Sequence, residues 1–290
     1  LATAETYVEF QGRTAYGDRS RIEFHVTSAD WQESDRLLAG SLTAFGTPTG
    51  VFSVGGYGTF DGVLVNRIRD PRVEGRFAGE GMRAWDVVWG AVAGHTVIEN
   101  YYADVSNAVV TSGESDIRAD GRFSLGFPRQ DGGEEFNARI RSSQWPLSDL
   151  RHAFDLDDYE LDGSFTSEFR VFGSYLTPFG FGQMTLESGL AYGEQFDVAT
   201  SAIRLEGDGQ RLDSLEINKS TGHAFGAAWV GLDGTYSFNL DSSRSLPVET
   251  IAMVTFPSAP PLTGRLDFSA SGSGTFERPR YDVRGTISDF

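Results

Sequence analysis

Three features of the sequence predict an all-β fold. Apolar and polar residues alternate at period two along most of the chain, the pattern of strands with one buried and one wet face. Turn signals, most of them centred on glycine, interrupt this alternation every ten or so residues. Glycine (35 residues) and aromatics (13%) are both abundant in a chain of 290 residues, which favours pleated, half-buried surfaces joined by tight turns over disorder. At about 10–12 residues per strand and turn, the chain holds roughly 25 strands.

The elements follow in order. Ile22, Phe24 and Val26 share one strand face, with Arg21, Glu23 and His25 on the other. The same alternation places Trp85, Val87 and Trp89 together, then Phe123, Leu125 and Phe127, then Phe136, Ala138 and Ile140. Phe165, Ser167, Phe169 and Val171 form the next apolar face, followed by Leu215 with Ile217, and by Phe225, Ala227 and Trp229. Tyr236, Phe238 and Leu240 precede a last set, Leu266, Phe268 and Ala270. The turns are read at Gly55-Gly56, Gly79-Glu80-Gly81, Asp131-Gly132-Gly133, Gly207-Asp208-Gly209 and Asp233-Gly234. Few helices are expected. The best candidate is the short stretch Pro146–Phe154, where proline suits a first helical turn.

The alternation also repeats on a longer scale. Leu38-Ala-Gly40-Ser-Leu42, Leu161-Asp-Gly163-Ser-Phe165 and Leu262-Thr-Gly264-Arg-Leu266 share a pattern, their glycines 123 and 101 residues apart. Each is expected to lead into an alternating strand. Asp30-Trp31, Trp145-Pro146-Leu147 and Leu246-Pro247-Val248 lie upstream at similar offsets. Downstream, Gly58-Thr59-Phe60 with Pro71-Arg72 echoes Gly274-Thr275-Phe276 with Pro279-Arg280. Self-similarity of this kind marks an extended repeat architecture. The expected organisation is one elongated repeat β domain over 1–290, with loose units at about 40–162, 163–263 and 264–290, the last partial.

Composition narrows the function. A net charge of −17 repels nucleic acid, so no nucleic-acid partner is expected. The absence of cysteine excludes disulfide scaffolds and thiolate metal sites. The chain starts at Leu1 with no basic or apolar leader and reads as a piece of something longer, with any membrane anchor outside it. His25, His95, His152 and His223 are scattered and form no ligand spacing. The acidic run from Asp155 to Asp162 lacks the glycine and terminal glutamate spacing of a calcium loop and reads as a solvated linker. Gly55–Phe60 lacks the Lys-Ser/Thr of a phosphate loop and reads as a hairpin turn. No nucleophile motif appears. The reading is a non-enzyme, with no catalytic residue, metal or cofactor.

A sheet with one apolar face must cover it. Two sheets can stack, one can close into a barrel, or one can fold over itself so that the apolar face lines a trough. Aromatics beside small Gly and Ala leave uneven room inside, which favours the trough. The stretch from Leu262 to Phe290 resembles the recurring signature of the TamB family, within the AsmA-like and bridge-like lipid transfer superfamily, through Leu262, Gly264, Leu266, Gly274-Thr275, Pro279 and Gly285. Ser188–Phe238 is also similar to that family's interior sheet. This resemblance implies a β-taco: an elongated curled sheet of antiparallel-type strands around an apolar groove, with few short helices. It implies a lipid conduit of the bacterial envelope that carries phospholipids between the inner and outer membranes and supports outer-membrane biogenesis. It further implies a periplasmic location, tethered to the inner membrane, and an outer-membrane partner of the barrel-assembly type.

The candidate lipid-facing residues are Phe24, Val26, Phe169, Val171, Phe196, Leu215, Ile217, Phe225, Trp229, Phe238, Leu266 and Phe268. Core packing is the competing reading of the same positions; in a taco the core and the groove are one surface. An outer-membrane β-barrel and a carbohydrate-binding or adhesive β-solenoid are the alternative functions.

Overall fold

The computed structural model describes residues 2–14, 20–44, 53–67, 70–125, 133–191, 193–247 and 264–289, without the side chains of Ser41, Leu42 and Asp70. Within these residues the fold is all-β. Seventeen strands belong to one sheet, and each ladder between the strands described below is antiparallel. Two helices interrupt them. The chain divides into two compact units, Leu1–Arg141 with Phe172–Tyr175, and Ser142–Val171 with Leu176–Phe290.

The first unit contains β1 (Thr6–Arg13), β2 (Ser20–Ser28), α1 (Trp31–Ala44), β3 (Gly55–Arg67), β4 (Asp70–Ala84), β5 (Val87–Glu99), β6 (Tyr102–Ser112), β7 (Ser115–Ser124) and the start of β8 (Phe136–Pro146). Consecutive strands from β1 to β7 pair in order. The ladders align Val26, Phe60 and Phe77 in one transverse row, and Ile22, Leu64, Val73 and Ile98 in another. On the opposite face, His25, Asp61, Arg76 and His95 stand side by side. A one-residue slip would exchange these two sets, so the apolar row fixes the register. Phe172–Tyr175 closes the unit: Tyr175 stacks on Phe136 with centroids 5.1 Å apart. The buried Glu135 carboxylate accepts hydrogen bonds from Ser174 Oγ and the Tyr175 N–H, both at 2.8 Å.

The second unit contains the end of β8, α2 (Leu147–Ala153), β9 (Leu161–Gly173), β10 (Pro178–Ala191), β11 (Glu194–Glu206), β12 (Gly209–Lys219), β13 (Gly222–Gly231), β14 (Thr235–Arg244), β15 (Leu246–Pro247), β16 (Arg265–Thr275) and β17 (Arg278–Ser288). β9 pairs with β10, and the ladder then runs through β14 to β16 and β17. Its central row joins Ile203, Leu212, Ala228, Phe238 and Gly272. Ile203 is buried, as are Leu186, Ala199 and Ala224 on the same face.

This second sheet folds back on itself. Tyr159, two residues before β9, packs edge-on against Phe276, just after β16, with ring centroids 5.3 Å apart. Six ladder steps separate β9 from β16. In a flat sheet they would lie about 29 Å apart at roughly 4.8 Å per step. Two residues of chain and two side chains do not reach that far, so the strands must curl around the apolar face. Tyr236, on the same strand face as Phe238, stacks on Phe276 and extends the seam.

Several expectations need correction. There are seventeen described strands rather than roughly 25, because most run ten to fifteen residues. Some glycine signals lie inside strands instead of ending them. Gly79-Glu80-Gly81 forms an irregularity within β4, where the register shifts between Gly79 and Met82. Gly55–Phe60 is not a hairpin turn; it begins β3, with a register shift at Gly56 (φ +129°). Trp85 is not in a strand with Trp89. Trp85 and Asp86 are the two turn residues between β4 and β5, both at positive φ, a geometry whose twist suits tight hairpins. Gly207-Asp208 and Asp233-Gly234 do lie between strands. Phe127, Asp131, Gly132, Val248, Leu262, Thr263 and Phe290 lie outside the described residues.

The longest correction concerns Leu38–Leu42, which does not enter a strand: it lies in α1. Asp30 caps this helix, its carboxylate accepting the Gln32 N–H at 2.9 Å, and Glu33 follows at the third helical position. The second copy, Leu161–Phe165, does begin β9, and Gly264 immediately precedes β16. α2 forms as expected, with Pro146 at its N-cap. Thus β2–α1–β3 and β8–α2–β9 share one strand–helix–strand order.

Candidate functional site

α1 roofs a concavity whose walls are almost wholly apolar. Its residues Trp31, Ser34, Asp35 and Leu38, at helical spacing, face the strands. Phe24 and Val26 of β2, Phe60 of β3, Val73 and Phe77 of β4, Ile98 of β5 and Val54 complete a cavity of about 570 Å³. Small-molecule sites typically occupy about 300–1,000 Å³ with mainly hydrophobic walls. This one fits that description and lies wholly within the first unit.

The floor is shaped by aromatic rings lying over glycines. Phe24 and Phe60 stack with centroids 5.6 Å apart and planes 7° from parallel. Their rings occupy the space a side chain would need at Gly62: a Cβ there would stand 2.5 Å from Phe60 and 2.8 Å from Phe24. Gly75 sits in the same way beneath Phe60, Gly94 beneath Phe77, and Gly79 beneath Trp31. A ring laid over glycine keeps its apolar area while rising little above the sheet. The space above is therefore not filled by the side chains that line it.

The second unit uses the same device. Phe238 covers Gly272, and Phe196 covers Gly189. Phe169 lies against Gly182 and Val171 against Gly180, glycines that face Ile203 and Leu205 across the ladder. Leu215 and Ile217 align with Gly226 and Ala224. Leu266 and Phe268 alternate with Ala270, which faces Leu240.

The twelve candidate residues therefore separate into three sets. Phe24 and Val26 line the cavity of the first unit. Phe169, Val171, Leu215, Ile217, Phe238, Leu266 and Phe268 share the apolar face of the second. Phe225 and Trp229 do not: their ladder neighbours are Glu216, Asp241, Arg211 and Ser237, on the polar face, and Phe225 is 45% exposed. Ala224, Gly226 and Ala228 are the inward residues of β13. Phe196 stands three residues from Ala199, an odd spacing that takes it out of the buried Ala199–Ile203 row. Trp31, Leu38, Phe60, Val73, Phe77 and Ile98 were not among the candidates. The alternation around Phe60, Val73 and Phe77 could have pointed to three of them. Trp31 and Leu38 required recognising α1.

The polar faces carry cross-strand charge pairs. Arg122 grips Asp104 through two hydrogen bonds of 2.7 and 2.9 Å, which hold the guanidinium above its ordinary pKa. Arg204 and Arg211 stand directly opposite each other on β11 and β12. Asp213 accepts from Arg204 at 2.6 Å and Glu206 from Arg211 at 3.2 and 3.1 Å. These bonds hold both carboxyls below their usual range. A wider depression of about 1,050 Å³ borders His25, Asp61, Glu74, Arg76 and His95; there His25 Nδ1 lies 2.6 Å from Asp61. His152 pairs with Asp157 at 2.6 Å, tying down the acidic run after α2. Among the described residues no group of three or more His, Asp and Glu is placed to hold a metal ion, and no helix is long and apolar enough to cross a membrane.

No protein-family model, no curated protein and no solved structure matches this chain.

Proposed function

We propose that this chain is an apolar-groove lipid carrier of the bacterial envelope, of the TamB-like kind that its sequence resembles. Its cargo is phospholipid moving between the inner and outer membranes in support of outer-membrane biogenesis. It would work from the periplasm with an outer-membrane partner of the barrel-assembly type. The observation that carries this reading is the apolar cavity beneath α1, walled by Phe24, Val26, Phe60, Phe77 and Ile98 and lined on the helix side by Trp31 and Leu38. Transferring a sixteen-carbon chain out of water is worth on the order of 12 kcal/mol at about 0.8 kcal/mol per methylene. A wall of hydrocarbon offsets that cost without chemistry. The curled apolar face of the second unit supplies the same kind of lining, and carriage needs many similar contacts rather than one tight site.

Native mass spectrometry of the purified chain tests the proposal. Co-purifying phospholipid, displaced when Phe77→Asp places a charge in the cavity, is the expected result. A chain that carries no lipid and gains none from vesicles would refute it. The glycan-binding alternative would rely on exposed aromatics such as Trp85, 69% accessible, and predicts binding to a glycan array instead.

A further inference from the structure

Among the described strands, β17 alone is exposed at every position. β16 forms a ladder along one of its edges, from Arg278 to Ser288; the other edge is open to solvent over all eleven residues. Its composition is not that of a wet edge. Tyr281, Val283 and Ile287 continue the apolar face of Leu266, Phe268 and Ala270, and Tyr281 and Val283 are 71% and 62% exposed. The other phase carries Arg278, Arg280, Asp282 and Arg284. Asp282 and Arg284 meet along their own strand at 3.4 Å, their side chains 63% and 83% exposed. A Cβ at Gly272 would stand 3.0 Å from the Arg280 carbonyl oxygen, and one at Gly285 3.3 Å from that of Asp267, so both carbonyls point across the β16–β17 ladder. Hydrogen-bonding direction alternates along a strand. The N–H and C=O groups of Tyr281, Val283, Gly285 and Ile287 therefore face the open edge, and Pro279, the remaining residue of that set, has no N–H to leave unpaired.

We infer that β17 is a dimerisation edge, pairing antiparallel with β17 of a second copy about a two-fold axis at Val283. The inference does not depend on the lipid-carrier reading. An open edge is a template for another strand, and this one complements itself. With Val283 opposite Val283 of the second copy, all eleven residues pair. Asp282 then lies opposite Arg284 of the second copy, and Arg284 opposite its Asp282, two opposite-charge pairs at positions where side chains approach most closely. Tyr281 lies opposite Gly285 of the second copy, repeating the ring-over-glycine packing of Phe238 on Gly272. Every outward N–H meets a carbonyl; Pro279 falls opposite Ile287, where each end of the pairing loses one bond. Shifting the register by two residues sets Asp282 against Asp282 or Arg284 against Arg284, and a slip of one sets apolar face against polar face. The favoured register joins the apolar faces of the two copies, and the same patch serves both, as a two-fold contact requires.

Sedimentation velocity of the 290-residue chain between about 1 and 100 μM, a range that brackets a micromolar dissociation constant, should show a monomer passing to a dimer. The chain has no cysteine, so a single introduced one reports on itself. Val283→Cys should oxidise to a covalent dimer, because the two Cα atoms face each other at about 5.5 Å, within disulfide reach. Thr286→Cys should not, because its displacement from the axis separates the two copies by about 20 Å. Asp282→Arg and Arg284→Asp each set like charges opposite each other twice and should weaken the dimer at least about tenfold. An equimolar mixture of these two variants restores both opposite-charge pairs and should dimerise as the unsubstituted chain does. Circular dichroism establishes that the variants fold; if a charge variant does not, the two cysteine variants decide. A chain that stays monomeric throughout, equal cross-linking at the two cysteines, or charge variants that dimerise unchanged would overturn the inference.

Discussion

Tyr159 and Phe276 meet edge-on across the apolar face of the second unit, with six ladder steps between the strands they adjoin. Phe276 also stacks on Tyr236 at 5.3 Å, so a single half-exposed ring holds two distant parts of one sheet together. Tyr159→Ala and Phe276→Ala should show a coupling of about 0.5–1.5 kcal/mol in a double-mutant cycle, the range for aromatic pairs. Additive effects in urea melts would mean that the seam contributes nothing to closure.

Glycines beneath aromatic rings are expected to resist even the smallest side chain. A Cβ at Gly75 would come within 2.5 Å of both the Asp61 carbonyl oxygen and the Phe60 ring. Gly75→Ala should therefore cost about 1–3 kcal/mol of stability, the usual range for overpacking. Gly113 lies at a turn where a Cβ would meet nothing within 4 Å, although its φ of +61° makes substitution there a matter of backbone strain alone. Gly113→Asn, a residue that tolerates this φ, should be nearly neutral. Chemical denaturation of the two variants compares packing with conformation. Equal destabilisation would remove the role given to the rings.

The two faces of β13 make opposite predictions. Phe225→Lys adds a charge to a polar face already carrying Glu216 and Asp241, and should leave both stability and lipid content close to those of the unsubstituted chain. Ala224, 1% exposed and facing Ile217, has no room or solvent for the same change. Ala224→Lys should destabilise by more than about 3 kcal/mol, because it buries an unpaired charge. Thermal melts that rank the two the other way would invert the assigned faces.

Acid should weaken the β11–β12 pairing in a defined sense. The carboxyls of Asp213 and Glu206 are lowered in the folded state, first by the hydrogen bonds from Arg204 and Arg211 respectively. A lowered folded pKa contributes stability that is fully present above the unfolded value and is lost as pH falls through the folded one. The loss therefore begins in the ordinary carboxylate range and continues below it, as neutralisation leaves Arg204 and Arg211 facing each other uncompensated. These groups are solvent-exposed, so the effect is small and screened by salt. Urea midpoints between pH 7 and pH 3 should fall less steeply in Asp213→Asn/Glu206→Gln than in the unsubstituted chain. Parallel curves would contradict the assignment.

Alternation carried most of the fold into view, because an antiparallel sheet with one wet face imposes period two directly on the residues. It failed where both phases of a strand are apolar. In β13, Phe225, Ala227 and Trp229 outweigh Ala224, Gly226 and Ala228 in size, yet the neighbours Leu215, Ile217, Phe238 and Leu240 decide which set turns inward. Size is local, whereas facing is a property of the ladder. Helix α1 was hidden by a Leu-Ala-Gly-Ser-Leu stretch that also reads as a strand, although Asp30 and Glu33 stand at the spacing of a helix start. The cavity inherited that omission, since Trp31 and Leu38 belong to the missed element. Glycine was legible as abundant but not as the floor beneath Phe60, Phe77 and Trp31, because a ring over a glycine joins residues on different strands or a helix.

Photocrosslinking with a phospholipid bearing a diazirine on its acyl chain tests the central claim most directly. Peptide mapping should place the adducts on α1 and on β2 to β5, at Leu38, Phe77 and Ile98 among the cavity walls, with competition by unlabelled phospholipid. Adducts spread evenly over the polar face, around Glu74 and Arg76, or no competable adduct at all, would contradict an apolar cavity that holds an acyl chain.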